Sequence, residues 1–411
     1  MSIQNISKTS TVFAKYADSS SLDAFSRLRI SNPVAIFDNQ FTYDLSPLIF
    51  ESITSGSGAT VTHDATNRNA LMTFSSTPTG GAAFMQSYEH IRYQPSKSQL
   101  VFITFNMLSA VANVLKFAGY SDGTNGMEFQ LNGTTKQFVI YSAGGGGNET
   151  VTQANWNLDK LDGTGSSGVT LDISKVQILV LDFQALYVGR VRIGFDIGGV
   201  IIYAHQFSHA NIDTETYIQT ANLPIRCGMT CTGTVSTTMD FICCAVSSEG
   251  GLEDTHGYEF SVEGAVTAAN GADTHILSIQ PKTTFNSIAN RVKIEISQID
   301  LTVTGNNPVL WKLCLGQAFT GTSVADANAT YSAVQTLTGT LSGTPAIIMD
   351  TGYVAASAGT KTATYSDIAT KYPITLDRAG AVRDLGRMTV LVQGISGTSA
   401  TRCSLKWREV R

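Results

Sequence analysis

Between Val191 and Phe207 the chain spells out a hairpin. Val191, Ile193, Phe195 and Ile197 alternate with Arg192, Gly194 and Asp196, so four apolar side chains share one face of an extended strand and the polar ones take the other. Gly198-Gly199 follows. Two glycines supply the positive φ angles that a tight primed turn demands, so residues 200–207 return antiparallel. A strand with one apolar face has to bury it, which commits this part of the chain to a layered β-structure. Ahead of the hairpin, residues 171–181 are predicted as a further strand. Before that, residues 153–168 form a polar, turn-rich passage with Trp156, Asn157, Asp159 and Asp162.

The same pattern extends in both directions. Residues 34–43, 83–93, 99–108, 115–120, 127–131 and 137–141 are predicted strands, separated by turn chemistry such as Ser55-Gly56-Ser57-Gly58, Asp122-Gly123 and Asn132-Gly133. With strands near Ile218, at 225–231 and at 239–246, residues 36–250 form one large β-sandwich domain. Small and polar residues at 247–251 mark a boundary. A second sandwich then occupies 256–411, with strands at 275–279, 292–296, 299–303, 309–315, 346–349, 388–393 and 403–407. In the last, Cys403, Leu405 and Trp407 point one way. Residues 320–344, rich in Thr, Ser, Ala and Gly, are predicted as a long loop or a loosely decorated edge. Residues 1–35 are predicted as an arm for assembly or anchoring, in which Leu22, Phe25 and Leu28, beside Arg27 and Arg29, have the spacing of a short amphipathic helix. The expected fold is therefore all-β: two tandem antiparallel sandwich or jelly-roll domains behind an extended N-terminal arm.

Charge narrows the function. Only 14% of the 411 residues are charged against 43% apolar, and the net charge is -5 with no basic block. Phosphate contacts need clustered Lys and Arg, so nucleic acid is not an expected partner. Residues 1–10 carry no apolar run behind basic residues, and no apolar run approaches a membrane span. The expectation is synthesis in a host cytoplasm with no signal peptide and no membrane insertion. Weak charge with abundant Thr and Gly fits β-structure that packs against neighbours.

No catalytic constellation emerges. Cys227, Cys231, Cys243 and Cys244 are spaced C-x3-C-x11-C-C, without the CxxC knuckles of a zinc site. These four, with Cys314 and Cys403, are expected as buried free thiols. His205 and His209 have the spacing of a helical metal pair but lie in strand and loop with no glutamate between them. Asn157, Asp159 and Asp162 miss the regular ligand spacing of a calcium loop, and are expected to bond their own turns. Asp182 and Asp196 are explained as solvent-face residues. No G-x-S-x-G elbow and no phosphate loop occurs. The sequence reading is thus of a protein that is not an enzyme, with no cofactor, metal or catalytic residue. Trp156, in its polar loop, is the candidate glycan contact. The arginines are solvated faces on one reading. On the other they pair with carboxylates such as Asp172 across subunits, which assigns Leu22, Phe25, Arg27, Arg29, Asp172, Arg190, Arg192 and Arg226 to an assembly interface.

Several passages in order, Arg27-Leu28-Arg29-Ile30-Ser31-Asn32-Pro33 with Ile36-Phe37-Asp38, Tyr93-Gln94-Pro95-Ser96-Lys97-Ser98, Trp156-Asn157 with Asp162-Gly163-Thr164-Gly165 and Leu171-Asp172, Gly189-Arg190-Val191-Arg192, Asn222-Leu223-Pro224-Ile225-Arg226 and Ser248-Glu249-Gly250-Gly251, resemble virion structural proteins of tailed bacteriophages over about residues 24–254. That resemblance implies a non-enzymatic particle component located in the virion: a fibre, a tail or neck appendage, or a capsid decoration subunit. Its expected partners are copies of itself as a homo-oligomer, with a trimer as one candidate, and other virion proteins through residues 1–35. The alternative is a receptor-binding adhesin or depolymerase acting on host surface polysaccharide.

Overall fold

The computed structural model describes residues 2–5, 12–15, 20–30, 32–144, 146–184, 186–251, 257–357, 359–364 and 374–411. It is all-β, and the chain divides into two compact units, 1–87 with 91–253 and 88–90 with 254–411.

The first unit is two antiparallel sheets face to face. One has seven strands in the order Glu149–Thr152, Thr135–Tyr141, Gly126–Asn132, Val114–Ser121, Ile225–Cys231, Ala82–Ser87, Phe50–Ser55. The other runs Val200–Phe207, Val191–Ile197, Gln177–Gln184, Ser98–Asn106, Val235–Glu249, Asn69–Thr77, Ala59–Asp64, with Val34–Gln40 also pairing Val235–Glu249. Alternation puts Phe105, Phe129, Phe138 and Phe195 between the sheets, all fully buried. Phe129 meets Phe195 edge-on at 5.1 Å between ring centroids, a favourable aromatic geometry. The Val191–Ile197 and Val200–Phe207 hairpin forms as the alternation demands, with Gly198 at φ 65° and Gly199 at φ 84°.

The second unit repeats the principle with a four-stranded sheet (Tyr258–Ala268, Ser399–Val410, Lys293–Val303, Gly359–Thr364) and a six-stranded one (Ala318–Asp326, Val334–Ser342, Thr274–Pro281, Met388–Gly394, Val309–Leu315, Ile347–Val354). Trp311 and Trp407 are buried in its core.

Three local expectations are corrected. For residues 320–344 the loop reading gives way to its alternative, an edge, since Ala318–Asp326 and Val334–Ser342 pair as a hairpin at the sheet edge. The stretch at 171–181 starts its strand only at Gln177, because Asp172 caps a turn by accepting bonds from the Ser174 backbone N–H and hydroxyl. No helix forms at Leu22, Phe25 and Leu28. Leu22 and Leu28 instead face each other in an antiparallel bridge. The Asp23 carboxylate fixes that turn by accepting from the backbone N–H groups of Phe25 and Arg27, a local bond that competes with helix.

Candidate functional site

The arginines singled out above sort into two networks inside the first unit. Arg192 is opposite Asp182 on neighbouring strands, on the outer face of the eight-stranded sheet. Asp182 is wholly buried. One of its oxygens accepts from Arg192 at 2.5 Å, Arg29 at 2.8 Å and Tyr203 at 2.5 Å, and the other accepts from Ser98 at 3.0 Å. Arg29 also bonds Glu249 at 2.6 Å. Burial pushes the Glu249 carboxyl upward, and Arg29 opposes it. Arg192 donates to the Leu22 carbonyl and Arg190 to those of Ala24 and Asp23. The segment 20–30 is thereby held on the sheet, with the Ala24 backbone N–H also donating to the Ser98 hydroxyl and Arg29 to the Tyr203 hydroxyl. Leu22 and Arg192 are buried within the chain itself, whereas Arg27 is exposed, paired to Asp23 at 2.6 Å and set over the Phe25 ring. The solvent-face reading of Asp182 is overturned, because a carboxylate with four donors has no need of water.

Arg226 lies on the outer face of the seven-stranded sheet, its guanidinium 4.6 Å from the Phe84 ring and 4.5 Å from the Phe117 ring. It faces the buried Glu128 at 3.6 Å. Burial raises the Glu128 carboxyl, while Arg226 and the Gln130 amide, 2.9 Å away, pull it back. Gln137 and Tyr141 extend the network through Gln130.

Trp156 is corrected as a glycan platform. It is 3% exposed and stacked on Phe138 at 4.3 Å, so neither ring face meets solvent. Asp172 is exposed and serves its own turn. Asp159, expected to bond its turn, accepts from the Leu161 and Ser167 backbone N–H groups at 2.9 and 2.7 Å. Those bonds outweigh burial and hold its carboxyl low. Gly165 is needed there, since a Cβ would sit 2.0 Å from the Asp159 carboxylate. All six cysteines are free thiols, and only Cys243 is less than buried.

The histidines part company. His205 accepts from the Asn157 backbone N–H at 3.2 Å, and burial lowers it to about 4. His209 sits elsewhere, buried at one edge of the sandwich. Its Nδ1 is 2.7 Å from the Gly189 carbonyl and its Nε2 is 3.0 Å from the Glu149 carboxylate. The Tyr217 ring stacks on the imidazole at 4.1 Å. A tight turn, in which the Ile212 and Asp213 N–H groups both donate to the His209 carbonyl, brings Asp213 back beside it. Burial works against charge on His209, but the Glu149 carboxylate, the Gly189 carbonyl and Asp213 together raise its pKa. A cleft of about 420 Å³ opens over this group, lined by Ser142, Gly146, Gly147, Glu149, Ile212, Asp213, Thr214, Glu215, Thr216 and Tyr217. Three carboxylates and four hydroxyl-bearing side chains thus meet one exposed apolar side chain, Ile212, with no Lys or Arg among the described lining residues. Sequence reasoning weighed His209 but passed over Glu149 and Asp213. Glu149 lies 60 residues away, on an edge strand no local motif ties to a histidine. The only local signal was the His209-x3-Asp213 spacing across a turn.

No family model and no curated protein matches this sequence. Among solved structures the fold is similar to the endo-1,3-beta-glucanase of Streptomyces sioyaensis, at 11% identity and a TM-score of 0.38, covering 58% of this chain and all of that one. It is similar also to the carbohydrate esterase vb_24B_21 from Shiga toxin-encoding bacteriophage phi24B (12%, 0.33, 53% of this chain and all of that one). A third is the legume lectin-like domain from Entamoeba histolytica (8%, 0.31, 53% of this chain and 98% of that one). These are likenesses of β-architecture, and no residue role passes across them. They do overturn one sequence expectation, that the chain is not an enzyme. Structures similar to it include a glucanase and an esterase.

Proposed function

We propose that the first unit binds a neutral saccharide in the cleft beside His209, as a receptor-binding adhesin or a depolymerase of surface polysaccharide would. The composition of the lining carries this reading. Glu149, Asp213 and Glu215 offer acceptors for paired sugar hydroxyls, Ser142, Thr214 and Thr216 can donate or accept, and Ile212 offers an apolar surface for the C–H face of a ring. With no cation between them, the same carboxylates repel phosphate, sulfate and uronate groups, which favours uncharged sugars. The test is a glycan array probed with the whole chain and with Asp213→Asn/Glu215→Gln. Binding to neutral glycans should be seen, and should weaken at least tenfold in the double variant. Folded protein that retains no glycan, or that prefers acidic ones, would sink the proposal. Release of new reducing ends from a bound polysaccharide would distinguish a depolymerase from an adhesin.

The ordered passages from Arg27 to Gly251 favour a second, compatible reading, in which the carrier of this cleft is a component of a tailed-phage particle that assembles with copies of itself and docks through residues 1–35. Gel analysis of purified virions tests that directly, and absence of the protein from particles would exclude it.

A further inference from the structure

We propose that Glu149, His209 and Asp213 form a binding site for a divalent first-row transition ion of the Zn²⁺ or Mn²⁺ class. The three residues each turn one ligand atom toward a common point, and these atoms lie within 4.8 Å of one another. The imidazole is prepared for the task. Its Nδ1 is 2.7 Å from the Gly189 carbonyl, and since a carbonyl only accepts, Nδ1 carries a proton and Nε2 is the atom left to ligate; it faces the Glu149 carboxylate at 3.0 Å, and the proton it shares there is released when an ion takes its place. The Gly189 contact is how an outer hydrogen bond sets the tautomer of a metal-ligating histidine. Tyr217, stacked on the ring, prevents it from rotating away. The ring itself is buried and fixed, whereas Glu149 and Asp213 are exposed and can close on an ion held at about 2.0–2.2 Å.

The donor set selects the ion. One imidazole nitrogen and two carboxylate oxygens, with the remaining positions open to water from the cleft, suit Zn²⁺ or Mn²⁺. Ca²⁺ takes six to eight oxygens and Mg²⁺ is seldom bound through imidazole, so both are disfavoured. The turn bonds from Ile212 and Asp213 to the His209 carbonyl fix the spacing of the second and third ligands before any ion arrives. This assignment does not depend on the saccharide reading, because ion binding is measured with no sugar present.

Isothermal titration of the metal-stripped whole chain with ZnCl₂, MnCl₂ and CaCl₂ tests it, with Co²⁺ absorption as the report on the ligand set. The expected result is one site for Zn²⁺ or Mn²⁺ and at least tenfold weaker binding of Ca²⁺. Glu149→Gln and Asp213→Asn, both at exposed positions and therefore unlike His209→Gln in leaving the core untouched, should each weaken binding tenfold or more and change the Co²⁺ spectrum. No binding up to millimolar ion would overturn the proposal and leave Glu149 and His209 as an ion pair only. Binding that both variants leave unchanged would overturn it equally, by placing the ion elsewhere.

Discussion

Asp182 and Lys116 show how this weakly charged chain handles the charges it buries. Asp182 accepts from Arg192, Arg29, Tyr203 and Ser98, so removing the Arg192 guanidinium leaves this interior carboxylate with Arg29 as its one cationic partner. Arg192→Leu should cost about 3–5 kcal/mol in urea denaturation, and a loss below about 1 kcal/mol would show the pair to be dispensable. Lys116 is also buried, its ammonium donating to the carbonyls of Met107, Ser109 and Thr238 at 2.5, 2.9 and 2.8 Å. Burial lowers its pKa to about 8, against the pull of Asp240. The unfolded lysine keeps its proton to about 10.4, so between these values the unfolded chain binds more protons and stability must rise with pH. Below about 8 both states are protonated and this contribution is flat. Relative to Lys116→Met, the parent should therefore gain stability between about pH 8 and pH 10, and a flat difference across that window would refute the assignment. Neither network was legible beforehand. Asp182 lies 153 residues from Arg29 and Lys116 lies 122 from Thr238, and a one-dimensional pattern marks each as a solvent-facing residue on an alternating strand.

At the scale of elements, strands could be read where side-chain polarity alternates and not where hydrogen bonding alone decides. Val191–Ile197 alternates cleanly in polarity although its first five residues are all buried, and its hairpin turn leaves open space around the missing Cβ of both glycines. Substitution there meets no steric wall, only the backbone penalty of left-handed φ. Gly198→Val should cost about 1–2 kcal/mol, while Gly198→Asn should be close to neutral. Thermal melts of the two variants give the comparison, and equal losses would rule out a conformational origin. Gln177–Gln184 was harder to delimit because Ile178, Leu179, Val180 and Leu181 are apolar in succession and its polarity does not alternate, while its outer face is covered through the Arg29 bond to Asp182. Ala318–Asp326 was missed for the opposite reason: nearly every side chain is exposed, so nothing alternates, and only the ladder to Val334–Ser342 makes it a strand.

For the molecule as a whole, two large hydrophobic cores, one in each unit, mean that damage to one need not reach the other. Trp407 is fully buried in the second. Trp407→Ala should remove about 3–5 kcal/mol, and in calorimetry it should lower one unfolding transition and leave another in place. A single transition displaced as a unit would contradict independent cores. What the sequence by itself determined is the class of structure: alternation, glycine turns and a shortage of charge dictate antiparallel sheets with one buried face, because those are local consequences of strand geometry. The tertiary structure alone decided which polar residues meet. Trp156 joined the core against Phe138, Arg192 closed on Asp182, and Glu149, His209 and Asp213 converged at a cleft. Pairing register and sheet order bring together groups tens to hundreds of residues apart, and no local periodicity encodes that convergence.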